Sequence, residues 1–198
     1  APGAAPIRPK SIKGADRPEV YTIRNVVDII RLKEGVASGE IRDVAVIGGG
    51  FIGIETAENL RKLGKQVTVI EAMDQILAPL DYDFVQMVQK EMMDHGVQVI
   101  VGDGVKEIDG SQVLLASGKA VPAQAVVLAI GVAPETGLAR QAGLEIGETG
   151  GIKVDHNYRT SDENIYAVGD AIEVFQQLTQ KPAGPGGCGF HVRTALRQ

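Results

Sequence analysis

Tryptophan is absent from this chain of 198 residues, cysteine occurs once, and there are only 3 histidines. The lone Cys188 excludes an intrachain disulfide, a C-x-x-C redox pair and a cysteine-cluster metal site within the chain. Three scattered histidines supply no ligand set of their own, so no metal is expected. No apolar run approaches the roughly 18 residues of a membrane span, and the opening APGAAPIRPK lacks the apolar centre of a signal peptide. No membrane association and a cytoplasmic location are therefore expected. Positive charge is in short supply too: 20 Lys and Arg face 25 Asp and Glu, a net charge of −5. No basic run or aromatic-basic interleaving occurs, which argues against a nucleic-acid surface.

Glycine, by contrast, is plentiful, and three of the 25 stand in an informative place. The stretch Ile41 to Glu71 reads IRDVAVIGGGFIGIETAENLRKLGKQVTVIE. The apolar run VAVI has strand length, Gly48, Gly50 and Gly53 follow in G-x-G-x-x-G spacing, and a helix pattern starts behind them. A second apolar run, VTVI, closes a βαβ unit, with Glu71 at its carboxyl end. Gly48 permits the tight turn, Gly50 lets the backbone approach a pyrophosphate, and Gly53 lets helix pack on strand. The pyrophosphate is expected on the helix N-terminus, where unpaired N–H groups and the macrodipole attract an anion. Glu71 suits ribose hydroxyls but repels a 2′-phosphate, and the following AMDQIL offers no Arg or Lys to clasp one. NAD(H) is therefore the expected nucleotide. Arg61, Lys62 and Lys65, on the helix and its exit, read as a solvated face.

The rest of the chain fits one α/β fold: a Rossmann-like parallel sheet in three layers, with a β-meander in place of one crossover helix. Residues 1–18 are proline-rich and too poor in apolar residues to form an element of a core. Val26, Val27, Ile29, Ile30 and Leu32 recur near helical spacing between about Thr22 and Ser38. Phe84, Met87, Val88 and Met92 share a helical face between Asp81 and His95, with Gly96 as the stop, and the methionines read as core. VQVIV follows as a strand. VKEID, VLLA and KAVPA, separated by turns at Asp109-Gly110 and Ser117-Gly118, form the meander, and QAVVLAIG is a further buried strand.

Four motifs in order resemble the flavin-dependent pyridine nucleotide disulfide oxidoreductases, the branch with NADH oxidase, NADH peroxidase and coenzyme A disulfide reductase. PGAAPIRPKSIKG resembles the run leading out of the flavin domain, and GGGFIGIETA the NADH fingerprint. AIGVAPET resembles the A-x-G-x-x-P-N loop, with Ala133 and Glu135 departing from it, and TSDENIYAVGDA the late flavin signature. The likeness runs from Ala1 to about Pro182. It implies that Phe51 covers the nicotinamide pocket and that Glu55 lies near nicotinamide and flavin, the two tentative catalytic assignments. It adds Ile52 and Gly131 to the cofactor-binding set of Gly48, Gly50, Phe51, Gly53 and Glu71, and makes Asp170 a ligand of the ribityl chain of FAD.

The same resemblance divides the chain into a connector (1–20), an NAD(H)-binding domain (21–150), a flavin-domain return segment (151–182) and an atypical, disordered tail (183–198). A complete member adds a front flavin-binding unit carrying the redox cysteine and a dimerisation domain, which makes Cys188 incidental and the parent a homodimer. In that parent, hydride from NADH passes to flavin and on to a small-molecule acceptor: disulfide, persulfide, oxygen or peroxide. This chain alone is expected to bind NADH without full catalysis. A stand-alone NAD(H)-sensing module is the alternative. A dehydrogenase acting directly on a small substrate fits less well, for want of a His, Lys or Tyr constellation.

Overall fold

The computed structural model describes residues 3–37, 39–176 and 181–184. Its elements in chain order begin β1 (Ala4–Pro6), β2 (Val20–Thr22), α1 (Val26–Ala37), β3 (Asp43–Ile47), α2 (Phe51–Lys62), β4 (Gln66–Ile70), α3 (Tyr82–Asp94) and β5 (Val97–Ile100). There follow β6 (Val105–Ile108), β7 (Gln112–Leu115), β8 (Ala120–Pro122), β9 (Ala125–Leu128), β10 (Val132–Pro134), α4 (Gly137–Gln141), β11 (Ile152–Lys153), β12 (Ile172–Gln176) and β13 (Lys181–Ala183). They group into two compact units, Pro6–Gly131 and the described residues within 1–5 and 132–198. These units divide at 5/6 and 131/132, where the sequence reading sets its borders at 20/21 and 150/151.

In the larger unit five parallel strands stand in the order β2-β9-β3-β4-β5. Strand alternation sorts their side chains into two cores. Val44, Val46, Val67, Val69 and Val127 face Leu32, Val36, Ala57, Leu60, Val85 and Met92 of the three helices. Ala45, Ile47, Ile70, Val126 and Leu128 face Ile108, Val113, Leu115 and Val121 of the antiparallel sheet β6-β7-β8. The layers are thus helices, parallel sheet and meander, and coverage on both faces explains why the strands are continuous apolar runs. Val46 and Val127 are fully buried, and each such side chain contributes roughly 1.5–3 kcal/mol relative to exposure. No helix among the described residues is long and apolar enough to cross a membrane.

Several details differ from the sequence reading. The opening segment does form elements: β1 pairs with β10, and Ala15 joins the meander-side core. β2, just ahead of α1, was not expected and pairs with β9. Of the apolar residues named on α1, only Leu32 is buried, with Val36; Val26, Val27, Ile29 and Ile30 are exposed. On α3 the packed stripe is Val85, Val88 and Met92, at i, i+3 and i+7. Phe84 and Met87 lie one residue off it and are exposed, so Met87 is not core. They line an open depression of about 550 Å³ with Pro79, Leu80, Asp81 and Val88. Gly96, left-handed at φ +80°, follows α3 as expected.

The β6–β7 turn is held by one carboxylate. Asp109 accepts the Ser111 N–H (2.9 Å), the Gln112 Nε2–H (2.9 Å), the Gln112 N–H (2.9 Å) and the Ser111 hydroxyl (3.0 Å). These bonds favour the ionised form, the Ser111 N–H foremost, and push its pKa from 3.8 down to about 2. A depressed acid stabilises the fold above its unfolded pKa and loses that contribution as pH falls through its folded one. The Ser111 and Gln112 amides are therefore expected to keep their exchange protection at pH 5 and to lose it between about pH 4 and pH 2. Hydrogen-exchange NMR beside Asp109→Asn tests this; equal pH dependence in both proteins would refute it.

The smaller unit holds the β1-β10 pair, α4, and the sheet β11-β12-β13, around Ala139, Ile152 and Ala171. Glu173 on β12 is buried there and accepts the Thr149 N–H (2.6 Å) and hydroxyl (2.8 Å). Cys188 and the expected disorder of the tail beyond Gly184 lie outside the described residues.

Candidate functional site

From β3 the chain runs to β4 and β5 on one side, while β9 and β2 lie on the other. The switch point therefore falls between β3 and β9, and an open parallel sheet binds ligands beyond the carboxyl ends of its strands at such a point. The G-x-G-x-x-G segment begins there.

Gly48 follows β3 with φ +107°, and its N–H donates to the Ile70 carbonyl (2.8 Å). A Cβ on Gly48 would lie 2.4 Å from the Ala129 oxygen, so the turn presses against the exit of β9. At Gly53 a Cβ would lie 2.0 Å from the Gly48 oxygen, which is the close packing of α2 on the turn. Gly50 differs: a Cβ there meets nothing within 4 Å. Its backbone is extended (φ −77°, ψ −178°) and it caps α2 with no side-chain hydrogen bond. Among the described residues no side chain caps the first turn of α2, which leaves its N–H groups, and the positive end of its dipole, to a ligand.

Glu71 stands one residue past β4, its own N–H donating to the Ile100 carbonyl (2.8 Å). Its carboxylate accepts the Gly49 N–H on Oε2 (2.7 Å) and the Met73 N–H on Oε1 (2.8 Å). Each oxygen retains a further lone pair for a hydroxyl donor. Phe51 and Ile52 open α2 and are exposed, as is Glu55 one turn on. Gly131, three residues past β9, accepts the Ile7 N–H (3.1 Å). The sequence-derived residues of the larger unit therefore gather at the carboxyl ends of β3, β4 and β9. Asp170 belongs to the smaller unit, exposed in a turn closed by the Ile172 N–H to the Gly169 carbonyl (3.3 Å).

The basic residues near the helix exit serve the fold. Arg61 Nη1–H donates to the Lys65 carbonyl (2.6 Å), Lys65 Nζ–H to the Ile41 carbonyl (2.7 Å), and Lys62 pairs with Glu58 (2.6 Å). Of the three, Lys62 is the solvated one. What sequence reasoning missed is the segment after Glu71. Leu77 donates its N–H to the Gly49 carbonyl (2.8 Å), with a left-handed φ of +47°, and Ile76 is fully buried beside it. An irregular segment has no hydrophobic period, so only the three-dimensional pairing shows it.

Known proteins match this chain over most of its length. The sequence profile described as pyridine nucleotide-disulphide oxidoreductase matches residues 1–184. An NADH oxidase of Methanocaldococcus jannaschii is 35% identical over 192 residues, 94% of this chain and 42% of that protein. The crystal structure of reduced CoADR-RHD from Bacillus anthracis superposes with a TM-score of 0.88 at 42% identity, covering 92% of this chain and 33% of that one. A water-forming NADH oxidase from Lactobacillus brevis, solved with NADH bound, gives 0.83 at 31% identity, covering 92% and 40%. The chain thus spans well under half the length of these proteins.

Proposed function

Since the chain belongs to the pyridine nucleotide-disulphide oxidoreductase family, we propose that the turn from Gly48 to Gly53, with Glu71, binds NADH. The carrying observation is the N-terminus of α2, which no described side chain caps and where a Cβ on Gly50 would meet no described atom within 4 Å, beside a carboxylate already held by two N–H donors. The residues fit the nucleotide: the N–H groups of Gly50 to Gly53 would take the pyrophosphate, and the free lone pairs of Glu71 the ribose hydroxyls. The same carboxylate disfavours a 2′-phosphate. Phe51 and Ile52, exposed at the start of α2, are available to a nicotinamide, with Glu55 and Gly131 at the edges of the site. When bound, NADH supplies a hydride. The chain's own part is to hold the donor in place, since positioning is where the rate of such a transfer arises.

In the whole protein this unit serves an FAD-dependent NADH oxidoreductase acting on a disulfide, persulfide, oxygen or peroxide, with Asp170 a ligand of the flavin. The flavin and dimerisation domains of a homodimeric parent are its partners, and the isolated chain binds NADH without full catalysis. Calorimetric titration with NADH and NADPH under identical conditions tests this. NADH is expected to bind at least about tenfold tighter, since a like charge placed against the phosphate costs well over 1.4 kcal/mol. A folded chain that bound neither nucleotide would overturn the reading.

A further inference from the structure

Gly49, the variable position inside the fingerprint, is fixed from three directions by the segment that follows β4. Its N–H donates to Glu71 Oε2 (2.7 Å), its carbonyl accepts the Leu77 N–H (2.8 Å), and a Cβ on it would lie 2.6 Å from Ile76 Cγ2. Ile76 is fully buried and Leu77 nearly so. Leu77 holds a left-handed conformation that non-glycine residues adopt only when their surroundings impose it. The segment is tied at its other side as well, the Gly102 N–H donating to the Met73 carbonyl (2.8 Å). It is therefore a strap docked on the dinucleotide turn, and the missing side chain of Gly49 is the space into which Ile76 fits.

We infer that Gly49 and Ile76 form a size-matched pair that seats this strap, and that Ile76 is a positioning residue for the nucleotide. Ile76 acts through Gly49. If it sits down fully, Leu77 reaches the Gly49 carbonyl and Glu71 reaches the Gly49 N–H, which fixes both the turn and the carboxylate. A methyl group at position 49 lifts the strap and loosens all three contacts together. The functional half of this inference rests on the NADH reading above; the structural half does not.

The test is a double-mutant cycle on the full chain with Gly49→Ala, Ile76→Ala and the pair, read by NADH titration and by amide exchange at Leu77. In Gly49→Ala the NADH Kd is expected to rise about tenfold or more, in line with the cost of forcing a methyl group into a packed site. In the double variant Cγ2 is gone but the Cβ and Cα of residue 76 remain close, at 3.0 and 3.2 Å, so affinity and Leu77 protection should recover in part, to a level between Gly49→Ala and the parent. Two independent losses would add instead of compensating. A double variant that binds no better than Gly49→Ala overturns the inference, as does a Gly49→Ala protein that binds like the parent. If the parent chain binds no NADH, the functional reading falls by itself, and Leu77 protection still decides the pairing: lost in Gly49→Ala and regained in the double supports it, unchanged throughout refutes it. If Gly49→Ala does not fold, a folded double variant supports the pairing, and an unfolded double beside a folded Ile76→Ala refutes it.

Discussion

Gly48→Ala is expected to remove NADH binding and a large share of the stability of the larger unit. The added methyl group meets two obstacles, neither of which can yield cheaply. The backbone sits at φ +107°, outside the regions open to an L side chain, and holding a non-glycine residue there costs of order 1–3 kcal/mol. The Cβ would also lie 2.4 Å from the Ala129 oxygen and 2.6 Å from its carbonyl carbon. Ala129 is tied to β3 by its N–H to the Ile47 carbonyl (2.7 Å), so relief requires moving β9 against β3. Forced overpacking of this kind costs about 1–3 kcal/mol more. The sum is a large share of the roughly 5–15 kcal/mol that holds a domain together. Thermal unfolding and NADH titration of the variant provide the check, and a melting temperature and affinity equal to the parent's would show that the turn is not built as described.

The second large effect concerns Glu71→Gln, which keeps the shape and removes the charge. Both carboxylate oxygens accept a backbone N–H, one from Gly49 and one from Met73. A glutamine amide offers one acceptor oxygen and one NH2 group, so one N–H is set against another donor. Hydrogen bonds to charged groups contribute about 1.5–3 kcal/mol, which corresponds to a loss in NADH affinity of about 10- to 150-fold. The NADPH affinity should fall less, because the repulsion of its 2′-phosphate goes with the charge, so the ratio between the two nucleotides narrows. Parallel titrations read that ratio directly. An unchanged ratio would remove Glu71 from the selection of the nucleotide.

The parts of this architecture that could be read from sequence were those with a local cause. β3, β4 and β9 are buried on both faces, so they appear as apolar runs, and the three glycines stand in a spacing of six residues that is read directly, although the steric demand on Gly48 comes from distant Ala129. The meander was legible because turn pairs such as Asp109-Gly110 punctuate it. β2 escaped notice because three residues give no period, and only pairing with a strand far along the chain makes them a strand. On α3 the expected face held Val88 and Met92, which do pack, but took Phe84 and Met87 in place of Val85, because two apolar stripes run side by side and periodicity does not say which one the sheet covers. The strap escaped for a related reason: its decisive contacts join Gly49 to Ile76 and Leu77, which share no repeat with the turn they hold. Glu71 was expected at the site, but not its second role of bracing the backbone around it.

The position of β2 also governs the order in which this domain becomes complete. Val20 pairs with Val126 and Thr22 with Leu128, so on the ribosome this strand emerges more than a hundred residues before its partner. At about 5–20 residues per second that interval is roughly 5–20 seconds. Through it, Val20 and Tyr21, both buried in the finished fold, have nothing to pair with, and β3 lacks one neighbour. β9 enters last, between two strands made long before, and its insertion unites both cores. A nascent chain halted before Ala125 therefore carries the whole glycine fingerprint and still has an open seam beside it, with the edges of β2 and β3 unpaired there.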